Sequence, residues 1–478
     1  MTKIQVLSHA CLLVSTEFCK IIVDPWLIGS CYWRSWWNYP EPDIEAELLE
    51  DVDAVFLSHI HWDHWHGPTL KRFFKNAPIY IGDDPNPRSM RDLKSIGYED
   101  VKVIRHGAKA EVGDISVSFY NFGTLLNDSA LVIETKDVKI LNANDAKIAG
   151  ASLKYLIGKH RQFDFAFRSH SSANSRICYQ TVIDSEKAVD DRDHYFRSFI
   201  LFMDAVNPKY AIPFASNHCH LLEETFHYND YVSKPSELGE FIKNNCGNEW
   251  RFEMMLPGSS WSSTGGFDMK NQNAFDDYEQ KLREYQKRKS ATLDRYRDRE
   301  EKVEITKPLI ARFEKMLSKC GRLGALNKVT FKLNKPSGVV KSLSWNGKAL
   351  LEDYGSEVHC SRKEAVVAMP VSVFRDAVMK NMFHHAAISK RCLYFAYDQN
   401  DLDSLQRFMT RLERLELKGN SLLFWPRWLA RQLKRRPDAI VYAYAFYYRF
   451  LRKMPLYLVE EAILMRHSGV KSRPKPNK

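Results

Sequence analysis

Within Ser58-His59-Ile60-His61-Trp62-Asp63-His64-Trp65-His66-Gly67 stand four histidines and an aspartate in eight residues. Imidazole and carboxylate together suit zinc, iron or manganese. The apolar run Val52-Asp53-Ala54-Val55-Phe56-Leu57 reads as a strand that delivers this cluster from its end. His59 and His61 are two residues apart, so in extended backbone they point to one side. Asp63 and His64 sit on the turn beyond and can face a second ion. Histidines also cluster on surfaces or satisfy a core, but their density here argues for a metal site with Asp63 and His64 at the chemistry.

Other candidates follow the same logic of a strand that ends in a polar side chain. Val138-Lys139-Ile140-Leu141 runs into Asn142-Ala143-Asn144-Asp145, and Asp145 could bridge two ions with one oxygen each. Tyr210-Ala211-Ile212-Pro213-Phe214 leads to His218 and His220, either of which would complete a metal shell. Asp24, where Lys20 to Asp24 meets a loop, is a candidate to hold a ligating histidine in one tautomer, or a turn cap. Arg34, Trp36 and Trp37 lie in an aromatic-rich stretch suited to stacking on a ligand or to packing. His170, in the polar loop after Phe163 to Phe167, is a substrate contact or part of a solvated connection. His384 and His385 lack a nearby acid or cysteine at ligand spacing and read as structural.

The elements that must position these groups alternate between β-rich and helical, an α/β pattern. Strands are expected at Ile4 to Leu13, Lys20 to Asp24, Pro78 to Gly82, Val101 to Ile104, Ile115 to Phe119, Ala130 to Glu134 and Val138 to Asn142, with a helix from Pro68 to Phe74. At 478 residues the chain exceeds one compact core. The reading is a catalytic domain over 1–265, a charged helical connector over 266–320, a small α+β domain over 321–400 and a basic, aromatic helical tail over 401–478.

Hydrophobic content of 44% with 27% charged residues excludes a disordered chain. No apolar run approaches a membrane span, and Met1 to Val6 resembles a strand rather than a signal peptide, which points to the cytoplasm. Nine cysteines without a Cys-x-x-Cys spacing read as free thiols. A net charge of +11 suits an anionic substrate, an acidic partner or a membrane surface. The tail's amphipathic segments fit peripheral contact with anionic lipid, or docking on the rest of the chain. No nucleic-acid module is found.

With these residues in place, roughly Met1 to Ser263 resembles the metallo-β-lactamase fold superfamily, and is most similar there to the catalytic, non-Rieske part of the CMP-N-acetylneuraminate hydroxylases. Asp24-Pro25-Trp26-Leu27-Ile28-Gly29, Arg34-Ser35-Trp36-Trp37, the histidine cluster with Pro68-Thr69-Leu70, Lys139 to Asp145 and Pro213-Phe214-Ala215 carry the match. The resemblance implies an αββα sandwich, one or two iron ions, molecular oxygen and a nucleotide-linked acidic sugar. It departs in three ways. No Rieske motif occurs, so an electron-donor protein would be separate. The superfamily's histidine between the cluster and the bridging aspartate falls near Thr124. Its last histidine falls near Leu222, leaving His220 or His218 to substitute.

Three functions therefore stand at this point. One is an iron oxygenase acting on a nucleotide-linked or other anionic sugar. The second is a zinc hydrolase of an ester, amide or phosphodiester, with Asp63 orienting the nucleophile. The third is a binding protein that has kept the fold and lost the chemistry.

Overall fold

The computed structural model describes residues 1–84, 88–123, 128–171, 173, 175–183, 192–245, 249–353, 360–417, 426, 430–431, 433–454 and 456–468. The expectation at Thr124 lies outside them.

Two stacked sheets carry the histidine cluster. One runs, in spatial order, Gly266–Asp268, Ser260–Ser262, Lys3–Val6, Leu12–Ser15, Lys20–Val23, Ala54–Leu57, Ile79–Gly82 and Val101–Ile104. The other runs Arg251–Phe252, Tyr210–Phe214, Phe165–Ser169, Lys139–Asn144, Asp128–Glu134, Ile115–Phe122 and Lys109–Val112. Central strands are covered on both faces, which explains why Ala54–Leu57 and Tyr210–Phe214 are buried throughout instead of alternating.

Ile4, Phe56, Phe119, Leu131, Phe165 and Ile212 fill the space between the sheets. Leu70 and Leu93, from helices Gly67–Phe73 and Arg88–Ser95, cover one outer face. Leu153, Phe199 and Leu238, from helices Gly150–His160, Arg192–Val206 and Pro235–Asn245, cover the other. The layering is αββα.

One expected strand is corrected. Ile4 to Leu13 is not continuous: Lys3–Val6 and Leu12–Ser15 are antiparallel neighbours, and the Leu7 amide donates to the Cys11 carbonyl at 2.9 Å to close the turn between them. The polar pair Ser8-His9 sits in that turn, at the end of the sheets where the histidine cluster lies.

A third sheet runs Tyr179–Thr181, Leu393–Ala396, Glu364–Pro370, Lys328–Lys335, Gly338–Trp345 and Leu350–Asp353. Its first strand comes from the N-terminal half of the chain and pairs in parallel with Leu393–Ala396. The core of this unit, including Phe313, Phe331 and Phe374, continues into Trp26, Tyr32, Trp33 and Trp36. The short helix Phe383–Ile388 is thereby seated against the histidine turn.

Within the charged stretch 266–320 the long helix is Tyr278–Glu301, with Leu282, Tyr285, Leu293 and Glu300 buried, and a second helix follows at Lys307–Lys319. Glu300 meets Arg391 at 2.7 Å. The long helix is pinned along one stripe rather than solvated all round. In the tail, helices Arg436–Phe446 and Leu456–His467 send Val441, Val459, Ile463 and Leu464 into the same core as Leu153 and Phe199. Gly150, at φ +56°, permits the approach, because a Cβ there would lie 3.0 Å from Ile463 Cγ2. Among the described residues no helix is long and apolar enough to cross a membrane.

Candidate metal centre

Strand Ala54–Leu57 ends at Ser58, and the backbone then folds back on itself. The amides of His64 and Trp65 both donate to the His61 carbonyl, at 3.1 and 2.7 Å. The tight turn holds His59, His61, Asp63 and His64 close together.

Asp24 fixes it from the neighbouring strand end. It is fully buried at φ +47°. Its carboxylate accepts from the Ser58 amide at 2.7 Å, the Ser58 hydroxyl at 2.6 Å, Asn144 Nδ2 at 2.8 Å and His64 Nδ1 at 2.9 Å. With its Nδ1 proton committed to Asp24, His64 presents Nε2 to the centre. That Nε2 is 3.2 Å from Asp145 Oδ2 and 3.6 Å from Asp63 Oδ2. Asp145 follows directly on strand Lys139–Asn144 and brings its carboxylate from the opposite sheet.

Two residues absent from the sequence-based set join it. His9 Nε2 lies 3.2 Å from Asp63 Oδ2, whose other oxygen accepts from the Tyr32 hydroxyl at 2.6 Å. Asp128, opening strand Asp128–Glu134, reaches His59 and His61. Three sets of side chains therefore present ligand atoms within 4.8 Å of one another: His9 with Asp63 and His64, His59 with His61 and Asp128, and His59 with His64 and Asp145.

His59 Nε2 and His61 Nδ1 face each other at 2.8 Å. The far nitrogen of His61 is 3.0 Å from His384 Nε2, and His385 Nε2 donates to the Ile60 carbonyl at 3.3 Å. These two histidines, read as structural, contact the first sheet's histidine turn and belong to none of the three ligand sets.

His218 and His220 are buried on a short strand opposite Trp36–Asn38. The His218 ring stacks on Trp36 at 3.7 Å and meets His9 edge-on at 5.7 Å. His220 Nδ1 donates to the Ser35 carbonyl at 3.1 Å. Neither belongs to the three sets. Of the expected substrate contacts, Trp36 is beside His9, with ring centroids 6.3 Å apart. His170 is fully buried, and burial pushes its imidazole down to about 3. Trp37 instead packs with Leu282, Tyr285 and Leu293, and Arg34 donates to the Ser30 hydroxyl at 2.9 Å.

Electrostatics tests whether these residues suit a cation. Burial, with His64 adding to it, pushes His59 down to about 3, and burial followed by His59 and His384 holds His61 well below its usual value. Both are neutral bases at pH 7, as metal ligands must be. Burial opposes the charged form of His64, but Asp63, Asp145 and Asp24 outweigh it and hold it well above its usual value, so an ion binding there must displace its proton. Burial opposes the charged form of Asp63, but His64 and His9 outweigh it and hold the carboxyl well below the usual range. Burial, with Asp145 beside it, pushes Asp128 up to about 7. Three carboxylates crowd a dry site, and one of them resists ionising until a positive charge compensates it. The donor set fits one or two divalent ions.

Residues 3–180 match the beta-lactamase superfamily domain. The match takes in the histidine turn and most strands of the two stacked sheets, whose αββα layering is that of the metallo-β-lactamase fold. Particular relatives narrow the picture. The cytidine monophosphate-N-acetylneuraminic acid hydroxylase of Mus musculus is 33% identical over 151 residues, 30% of this chain and 26% of that protein. A Mycobacterium tuberculosis protein carrying the name of a Rieske 2Fe-2S iron-sulfur protein is 26% identical over 246 residues, 48% of this chain and 46% of that one. The chain thus matches less than half the length of these relatives. The solved structure of CmlA, a diiron beta-hydroxylase from Streptomyces venezuelae, aligns over 53% of each chain with 16% identity and a TM-score of 0.39.

Proposed function

We propose that this chain is a non-heme iron oxygenase that acts on a nucleotide-linked or other anionic sugar, with electrons from a separate donor protein. The observation that carries the reading is the composition of the ligand sets. Each consists of two imidazoles and one carboxylate, the ligand type associated with iron that keeps open positions for oxygen and substrate. His59, His61 and Asp128 would hold one ion, His9, Asp63 and His64 another, and Asp145 would lie between them. Iron supplies the redox chemistry by which oxygen is activated.

The chain's own part is to orient and to shield. Asp24 and His384 fix the outward nitrogens of His64 and His61. Tyr32 holds Asp63 by one oxygen, leaving the other toward His9 and His64. Access is proposed along the rim where Asp145 is 20% exposed. Lys147, two residues further on, is 39% exposed at that rim, with its ammonium 3.7 Å from Glu460. Trp36 and His170 form the floor behind His9. The name of the Mus musculus relative and the chain's net positive charge support the substrate class.

The zinc hydrolase remains the second reading, because two imidazoles with one carboxylate also bind zinc. Anaerobic purification, metal analysis and an optical spectrum separate the two. Stoichiometric iron with oxygen sensitivity is expected; stoichiometric zinc would favour the hydrolase. Absence of metal in the wild type, or metal content unchanged in both His59→Ala and His64→Ala, would overturn the metal-centre reading.

A further inference from the structure

We propose that the π-helical turn that continues helix Arg436–Phe446, Tyr447–Leu451, docks on a bilayer surface that carries anionic lipid headgroups. The two faces of this hairpin supply the argument. Inward, Val441, Tyr448, Val459 and Ile463 lock it into the domain's core, so the turn is held in place rather than trailing. Outward, Phe446 is 58%, Tyr447 41%, Phe450 63% and Leu451 68% exposed. Phe446 and Phe450 are one turn apart with ring centroids at 4.8 Å, and the four side chains make one apolar knob. Exposed apolar residues are ordinary singly; gathered at one point they mark an interaction site.

The charged side chains of the knob's own segment have a single sign. Arg449, Arg452 and Lys453 are all exposed. No acid occurs in the sequence between Asp438 and Glu460. The acids at either end face inward: Asp438 accepts from the Ser152 hydroxyl and Glu460 pairs with Arg168, while Glu461 lies 2.9 Å from both His194 and Arg197. An apolar, aromatic tip with a cationic rim matches the boundary between headgroups and acyl chains, which accepts a knob without needing a complementary pocket. A tip this small gives reversible, salt-sensitive binding.

The test is cosedimentation of the full chain with vesicles of phosphatidylcholine alone, or with one third phosphatidylserine. Binding is expected only to the second, weakening as salt is raised. Phe450→Asp with Leu451→Asp should abolish it, and each of Arg449→Gln, Arg452→Gln and Lys453→Gln should lower it about fivefold. Metal content and thermal midpoint should stay unchanged, because none of these side chains enters the core. The proposal is overturned if the wild type ignores phosphatidylserine vesicles, or if the double aspartate variant binds as the wild type does. It is also overturned if the substitutions instead abolish a self-association that occurs without vesicle binding.

Discussion

His61 Nε2 lies 3.0 Å from His384 Nε2, so an imidazole of the metallo-β-lactamase-fold turn is held by a helix of the third-sheet unit. One ring must donate to the other, which ties the tautomer of His61 to a residue far along the chain and leaves its Nδ1 facing His59. Outer partners of this kind commonly change metal affinity by about 10–100-fold when removed. His384→Ala should therefore weaken metal retention by about that factor, while His384→Gln, which can still accept or donate, should recover part of it. Dialysis against a graded chelator series measures this. Equal retention in all three proteins would show that the contact does not orient His61.

Asp24 makes four hydrogen bonds while fully buried. Asp24→Ala strands the Ser58 amide, the Asn144 amide group and His64 without their acceptor. A loss of about 3–5 kcal/mol in urea unfolding is expected, as for breaking other buried charged pairs. Asp24→Asn keeps the shape and should lose less stability, yet it should still lose metal by disturbing the His64 tautomer. A stable Asp24→Ala protein with full metal content would contradict both statements.

The loop that carries Asp145 is strapped to the C-terminal helix. Arg168 Nη1 donates to the Ala146 carbonyl at 3.4 Å and pairs with Glu460, which also sits 3.7 Å from Lys147 Nζ. The Gly150 amide donates to the Ser468 hydroxyl at 2.7 Å. Burial opposes the charged form of Glu460, but Lys147 and Arg168 outweigh it and hold its carboxyl below the usual range. A depressed carboxyl contributes stability that is complete above its unfolded value, about 4.3, and is lost as pH falls through the folded one. Glu460→Gln should cost about 3 kcal/mol at neutral pH, and the gap from wild type should narrow in acid. Urea titrations at neutral pH and at about pH 3 measure it. A gap independent of pH would show that charge is not what holds the strap.

How much of this was legible follows from where each group sits. Strands that end in His59 or Asp145 announce themselves, because an apolar run stopping at a polar residue is a local signal. His9 was hidden by reading Ile4 to Leu13 as one strand. The clue was Ser8-His9, a polar pair that interrupts the apolar pattern and marks a turn. Asp128 stands at the start of a strand instead of its end, where an acid normally signals only a loop boundary. His384 and His385 offered no ligand spacing among themselves, since their partners, His61 and the Ile60 carbonyl, are distant in sequence. The α/β pattern was readable because its central strands are unbroken apolar runs, whereas the αββα layering came only as what the family resemblance implied. The third sheet's sharing of Tyr179–Thr181 was not, since three residues of edge strand carry no periodicity.

Trp36 is 1% exposed and stacked on His218 with their planes 4° apart. A residue so packed acts on stability before it acts on a ligand. Trp36→Ala should cost about 3–5 kcal/mol, whereas Trp36→Phe should cost clearly less. Thermal and urea unfolding would decide. If Trp36→Ala folds as firmly as the wild type and only substrate affinity changes, the ring belongs to the substrate pocket after all.

Asp128 offers the sharpest control over which ion the centre prefers. With His59 and His61 it makes two imidazoles and one carboxylate. Asp128→His would create a three-imidazole set, an arrangement well matched to zinc. It would also remove the carboxyl that burial and Asp145 push up to about 7, lowering the negative charge of the site. Purified from medium that contains both metals, this variant should carry more zinc and less iron than the wild type. Asp128→Ala should lose the ion at that position without gaining zinc. An unchanged iron-to-zinc ratio in Asp128→His would mean that this carboxylate is not a ligand, leaving the ion to the sets built on His64 with Asp63 or Asp145.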